Sequence, residues 1–288
     1  MRIAVTGASG GLGSAIIKAT AALAGRDQVV GICRRPERAA SLDVEIRAGD
    51  YGDGDRYRQA LEGIDSLLLV SGMDAPDRRI ELHRNVIKAA TAAGVGKIVY
   101  TSVQGLAEGT AFSPIIQSNR QTERDVQESG IEWAIGRNGL YIEPDVEYIE
   151  TYRKHGKVAN CAGAGACGYT TRAELGCAFA RLLTDPDHNG QIYNLHGPAI
   201  TQTELVNYLN MAFDTDLVFE FVSFEAYKAA RVAELGPFIG TIIAGIYDTI
   251  CKGAFNNPSD FERVAERRHQ SWPDYFAEVR ARCGLDAS

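Results

Sequence analysis

Short apolar runs and helix-period segments alternate along the first half of the chain. Ile3-Ala4-Val5, residues 28–33 (Q-V-V-G-I-C), residues 44–48, Ser66–Val70, residues 97–101 (K-I-V-Y-T) and residues 131–135 (I-E-W-A-I) each read as a buried strand. Helical spacing fills the gaps. It runs from Ser14 through Ile16, Ile17 and Ala21 to Leu23, and over 55–62. It continues over 77–93, with Ile80, Val86, Ile87 and Ala90 on one face, and over the polar segment 117–129. Residues 105–116 read as a loop. Strands that alternate with helices predict an α/β fold with a doubly wound parallel sheet.

The second half is less regular. Residues 144–154 and 171–183 have helical spacing, with a glycine- and alanine-rich loop over 161–168 between them. Gln191–Leu195 (Q-I-Y-N-L) reads as a strand that returns to the main sheet. Thr201 and Glu204 form a capping-box pattern before a helix over 201–212. A short strand over 217–222 precedes a helix start at Ser223. Residues 235–250 are strongly apolar and hold Gly236, Gly240 and Gly245. Such a segment is suited to cover a substrate cleft, to act as a lid, or to form a dimer face.

Candidate chemistry begins at the first strand, which ends in Thr6-Gly7-Ala8-Ser9-Gly10-Gly11-Leu12-Gly13. Gly7 allows a sharp turn. Gly10 lets bare backbone approach a pyrophosphate, and Gly13 lets the helix lie close on the strand. The helix N-terminus offers free N–H groups to an anion. A strand, glycine turn and helix in this order predict a dinucleotide site of the Rossmann type. The chain then divides into residues 1–143, the dinucleotide-binding domain, and 144–288, mainly a smaller α/β lobe for substrate.

After the second strand stand Arg34 and Arg35, where an acidic residue would hold the ribose of NAD. Two guanidinium groups suit a 2′-phosphate, so NADP(H) is expected over NAD(H); the alternative is a pair of solvated loop charges. Asp50 is placed to reach the adenine amino group and Tyr51 to lie beside the ring. Asp50 is equally suited to be an N-cap or turn residue. Ser71, Gly72, Thr101, Ser102 and Gln104 fall at the carboxyl ends of their strands, where ligands lie in such sheets. Asn138 and Tyr141 follow the sixth strand and face the same edge.

Composition changes little. The chain has 288 residues, 45% of them hydrophobic, and a net charge of −7, which disfavours nucleic acid as a partner. No apolar run approaches a membrane span, and the first residues lead straight into a strand without a signal sequence. The six cysteines form no C-x-x-C pair and no zinc-like cluster, so no metal is expected. The protein reads as reduced and cytoplasmic.

The glycine motif, Arg34, Gly49-Asp50-Tyr51, Arg137-Asn138-x-x-Tyr141, Ile192-Tyr193-Asn194-Leu195, Val222-Ser223-Phe224-Glu225 and Ile246-Tyr247-Asp248 together resemble the NmrA-like group of atypical short-chain dehydrogenases/reductases. The likeness extends over nearly the whole chain. Within that group it resembles NADPH-dependent quinone oxidoreductases and triphenylmethane dye reductases. The resemblance implies NADPH bound between a Rossmann domain and a smaller lobe, with quinones, dyes or other conjugated small molecules as acceptors. It puts Arg34 at the 2′-phosphate, and Asn138 and Tyr141 near the nicotinamide. One departure stands out: the usual Tyr-x-x-x-Lys is absent, and residues 117–123 (Q-S-N-R-Q-T-E) put Asn119 where relatives carry Lys or His. Asn does not donate a proton at ordinary pH. Asn119 is instead suited to hold a ribose hydroxyl or a substrate oxygen. The proton donor, where one is needed, is Tyr141 or a water. The alternative is an NADP(H)-binding redox sensor without turnover. An isomerase or dehydratase fits less well, because those chemistries use the missing pair. A homodimer is compatible with the apolar 235–250 segment.

Overall fold

The structure is a computed structural model that describes residues 1–284. Its frame is built from β1 (Ile3–Thr6), α1 (Gly11–Ala24), β2 (Val29–Cys33), β3 (Glu45–Ala48), α2 (Gly54–Ala60), β4 (Ser66–Val70), α3 (Pro76–Ala92), β5 (Lys97–Val103), α4 (Ser113–Gln127) and β6 (Glu132–Asn138). The seventh strand, Gln191–Leu195, pairs with β6. The sheet runs Gln191–Leu195, β6, β5, β4, β1, β2, β3, and every neighbouring pair is parallel. This is the doubly wound α/β sheet that the alternation predicts.

Period-two side chains sort into two layers. Ile3, Val5, Leu68, Val99 and Ala134 point to one face. There they meet Ile16 and Ile17 of α1 and Leu175 and Phe179 of α7 (Arg172–Thr184). Ala4, Leu67, Leu69, Ile98, Tyr100 and Ile135 point to the other, under α2, α3 and α4. Each fully buried Leu or Ile contributes about 1.5–3 kcal/mol. The α1–α7 crossing is close because Gly176 has no side chain: a Cβ there would stand 2.8 Å from the Ala15 carbonyl oxygen.

Three details differ from the sequence reading. Helix α4 begins at Ser113, inside the expected loop, because Pro114 sits in its first turn, where a missing N–H costs nothing. β5 and β6 run on to Val103 and Asn138, so Ser102 and Asn138 are strand residues. The helix expected over 144–154 is two, α5 (Glu143–Glu147) and α6 (Ile149–His155), broken at Tyr148 (φ −90°, ψ 5°).

The remaining elements pack around a second core that includes Phe112, Tyr169, Leu205, Leu209, Ile250, Phe255 and Trp272. Strands Lys157–Asn160 and Val218–Phe221 pair in parallel, and the capping box of Thr201 and Glu204 opens the helix Gln202–Phe213. Helix Pro237–Cys251 lies directly on two neighbours. A Cβ on Gly240 would meet the Arg231 backbone at 2.5 Å, and one on Gly245 would meet the Phe112 nitrogen at 2.3 Å. The glycines of the 235–250 segment therefore let this helix seat tightly.

This lobe buries a carboxyl. Asp145 is 5% exposed and accepts from the Tyr152 hydroxyl at 2.8 Å. Burial pushes it up to about 6, against the hydrogen bonds of Tyr152 and Tyr247. A carboxyl raised in the folded state loses stability as pH rises. The loss falls between 3.8 and about 6, at about 1.4 kcal/mol per pH unit. The stability of Asp145→Asn relative to the wild type is therefore expected to climb across that window in denaturant titrations. A flat difference would refute it.

Candidate active site

The carboxyl edge of the parallel sheet gathers the ends of β1, β2, β4, β5 and β6. At β1, Gly7 turns the chain with φ +63°, a conformation that favours glycine, and its carbonyl accepts from Gly10 N–H at 2.8 Å. A Cβ at Gly13 would stand 2.2 Å from that carbonyl oxygen, so α1 is pressed against the turn. Gly10 caps α1 without a side-chain bond, and the first turn carries no acid. The first helical bond is Ser14 N–H to Gly10 O, so the amides of Gly11, Leu12 and Gly13 precede it. Ser9, Gly10 and Gly11 are exposed above them. This is an anion cradle of backbone N–H groups.

Thr6 is closed into a hydrogen-bonded ring. Its Oγ1 accepts from Val70 N–H at 2.8 Å and meets the Tyr51 hydroxyl, which donates to Val70 O at 2.9 Å. Tyr51 packs edge-on against Tyr57 and His83. Asp50 is exposed and accepts from Gly52 N–H at 2.8 Å, a turn-forming bond. Arg34 and Arg35 are exposed just past β2, and neither guanidinium forms an ion pair or hydrogen bond among the described residues. Pro36 opens a short 3₁₀ turn after them.

The turn after β4 is held from below. Ser71 N–H donates to Thr101 Oγ1 at 2.9 Å, and Gly72 N–H donates to His83 Nε2 at 3.1 Å. His83 Nδ1 lies 3.0 Å from Thr122 Oγ1. Burial, reinforced by Arg79, pushes His83 down to about 3, against the pull of Asp125. Neutral His83 is the native form, so stability is full above 6.5 and falls as pH drops toward about 3, at about 1.4 kcal/mol per unit. His83→Gln is expected to remove that slope. A wild-type-minus-variant difference that does not change with pH would contradict it.

Asn119 is 1% exposed and committed on both sides. Its Oδ1 accepts from Tyr100 at 2.7 Å and from Ser71 at 3.2 Å, and its Nδ2 donates to Ile115 O at 2.8 Å. Ser102 donates to Glu123 Oε1 at 2.6 Å. Glu123 also pairs with Arg120 (2.7 Å) and with Arg137 (2.6 Å). Burial raises the Glu123 carboxyl, but the Arg137 bond and the Arg120 charge outweigh it and leave it lowered. Arg137 is thereby pinned one residue before Asn138.

Asn138 is 5% exposed, and its Oδ1 is buried without a partner. An orphaned acceptor of this kind costs about 1–3 kcal/mol unless a ligand donates to it. A Cβ on Gly139 would be 2.0 Å from the Gly168 carbonyl oxygen, so this segment is wedged in place. Tyr141 pairs in register with Thr170, and the Arg172 guanidinium lies 5.1 Å from its ring centre. Burial pushes the Tyr141 hydroxyl up to about 12, while Arg172 and Asn138 draw it down. The Tyr141 hydroxyl is therefore a weak proton donor at neutral pH. The edge is instead equipped to bind an anion, to receive a donor at Asn138 and to exclude water beside Tyr141.

The glycine loop, Ser71, Gly72, Thr101, Asn138 and Tyr141 thus share one edge, whereas Ser102 and Asn119 are engaged beneath it. Tyr100, His83, Glu123 and Arg172 are functional neighbours that the sequence pattern does not single out. His83 had a signal, since it falls on the helical stripe of Val86, Ile87 and Ala90. The others depend on contacts between distant segments. Among the described residues no group of His, Cys, Asp or Glu is arranged to hold a metal. No helix among them is long and apolar enough to cross a membrane.

Comparison with known proteins gives a consistent picture. Residues 7–186 match the NAD(P)H-binding family. Quinone oxidoreductase 2 of Escherichia coli is 35% identical over 238 residues, 81% of this chain and 82% of its own length. Its crystal structure complexed with NADPH superimposes with a TM-score of 0.88 at 30% identity, covering 96% of this chain and 99% of that one. The Citrobacter sp. triphenylmethane reductase complexed with NADP(H) gives a TM-score of 0.87 at 32% identity, covering 96% and 99%. The chain belongs to the NAD(P)H-binding family, as an NmrA-like oxidoreductase.

Proposed function

We propose that the protein transfers hydride from NADPH to a conjugated small-molecule acceptor such as a quinone or a dye. The observation that carries this is the uncapped first turn of α1, which shares a sheet edge with an orphaned Asn138 oxygen and two arginines unpaired among the described residues. In this scheme Thr6, Gly7, Ser9, Gly10, Gly11, Leu12 and Gly13 form the pyrophosphate cradle. Arg34 and Arg35 hold the 2′-phosphate. Asp50 and Tyr51 border the adenine, while Ser71, Gly72, Thr101 and Ser102 back the cleft. Asn138 Oδ1 accepts from the nicotinamide amide, and the Tyr141 ring shields it. Asn119 acts by holding Tyr100 and Ser71. The NADPH and NADP(H) complexes of the two relatives support the choice of NADP(H).

NADPH, when bound, supplies the hydride. The chain holds it and excludes water. A quinone delocalises the charge it gains, and a cationic dye is neutralised, so neither needs a strong acid. That suits an edge whose tyrosine is held up at about 12. Tyr141 hydrogen-bonds the acceptor, and water completes the protonation.

Residues 1–143 form the cofactor domain in this scheme, and 144–288 the substrate lobe, described as far as residue 284. Arg172–Thr184 and Gln191–Leu195 nonetheless pack with the cofactor side. The free cysteines support a reducing cytoplasm, and the charge of −7 argues against nucleic acid. Exposed Val218, Phe221, Phe238 and Ile239 support a homodimer.

The test is the loss of NADPH absorbance with a panel of quinones and cationic dyes. Turnover with at least one supports the proposal. Tight binding of both NADP and NADPH with no turnover would favour a redox sensor instead.

A further inference from the structure

The side chain of Arg172 lies against the anion cradle at Gly11. A Cβ built on Gly11 would be 2.9 Å from Arg172 Cδ and 3.0 Å from its Nε. Arg172 thus comes from the start of α7, the helix packed against α1, and rests its stem on the glycine loop. Its base is fixed. Thr171 caps α7 by accepting from Glu174 N–H, and Arg172 N–H donates to Glu143 Oε1 at 2.7 Å. Its tip is not. The nearest carboxylates, Glu147 and Glu143, are 3.6 Å and 4.0 Å from Nη1, outside hydrogen-bond reach. The guanidinium rests over the Tyr141 ring instead. Glu143 Oε2 beside it is also buried without a partner.

The guanidinium stands at ion-pair distance from two carboxylates but makes no hydrogen bond, so its donors are unused next to bare helical amides. Its planar fork matches two phosphate oxygens at once, and a charge-assisted pair is stronger than its weak contacts here. The 2′-phosphate is not the anion, because Arg34 and Arg35 stand after β2, whereas Arg172 meets the loop at Gly11.

We propose that Arg172 is a further cofactor-binding residue, which closes over the dinucleotide's diphosphate from the start of α7, beside the glycine loop. This rests on the NADPH reading above. On binding, the guanidinium leaves the Tyr141 ring and turns to the phosphates held at the glycine loop. Arg172 therefore couples cofactor capture to the space beside Tyr141 where an acceptor would enter.

The test uses two probes on the full chain by calorimetry, NADPH and adenosine 2′-monophosphate. The second carries the 2′-phosphate but no diphosphate. Arg172→Ala is expected to weaken NADPH at least about tenfold while leaving adenosine 2′-monophosphate within about twofold. Arg172→Lys should fall between, because an ammonium keeps the charge but loses the fork. Unchanged NADPH affinity in Arg172→Ala would overturn the proposal, and so would an equal loss for both probes. If the wild type bound neither probe, the NADPH reading itself would fall.

Discussion

Arg34→Ala is expected to weaken NADPH about ten- to a hundredfold and to leave NADH nearly unchanged. The reason is the environment of the guanidinium. Arg34 is exposed at the end of β2 and has no acidic partner among the described residues, so its interaction with a 2′-phosphate displaces no internal ion pair. Desolvation is modest there, and the charge-assisted bond is retained as net affinity. Arg35, next in the chain and equally exposed, should show a smaller effect of the same sign, because its backbone carbonyl accepts from Cys33 Sγ at 3.3 Å and opens the turn at Pro36. Competition between NADPH and NADH in fluorescence titrations reads both. Equal losses for the two nucleotides would remove the specificity role from Arg34.

The second large effect is at the glycine loop. In Gly13→Ala the new methyl would stand 2.2 Å from the Gly7 carbonyl oxygen and 2.9 Å from that of Thr6, and both obstacles are backbone. Helix α1 must then lift off β1. That costs at least about 3 kcal/mol, the upper range for overpacking, and opens the cradle. Gly10→Ala is the informative contrast. Its Cβ would sit 3.2 Å from the same oxygen, and its φ of −94° suits any residue. It should fold with a loss of about 1 kcal/mol or less, yet bind NADPH poorly, since the methyl stands where phosphate approaches backbone. Thermal unfolding and calorimetry on the pair separate fold from binding. Normal NADPH affinity in Gly10→Ala would contradict the cradle.

Much of this is legible in the sequence. The layers follow from alternation, since neighbours such as Leu67 and Leu68 must bury on opposite faces of a two-sided sheet. The glycine turn was legible because its spacing serves local geometry. What sequence could not show is how distant segments complete one another's hydrogen bonds. Tyr100 and Asn119 are apolar-run and polar-helix residues until β5 and α4 are stacked. Glu123 becomes a hub only when Arg137 of β6 reaches it. Arg172 looked like an ordinary residue in a helix's first turn, and only the close approach to Gly11 gives it a place at the cleft. Pro114 is ambiguous for a local reason, as a proline marks a helix start as readily as a loop.

The proposed activity predicts that the pieces at the sheet edge serve one event. Protein loaded with a stoichiometric amount of NADPH and mixed rapidly with a quinone in excess tests it in a single turnover. The account predicts that the bound NADPH is consumed completely, faster than free NADPH under the same conditions, and that Arg34→Ala slows this through lost loading. Bound NADPH that persists at the solution rate would contradict it.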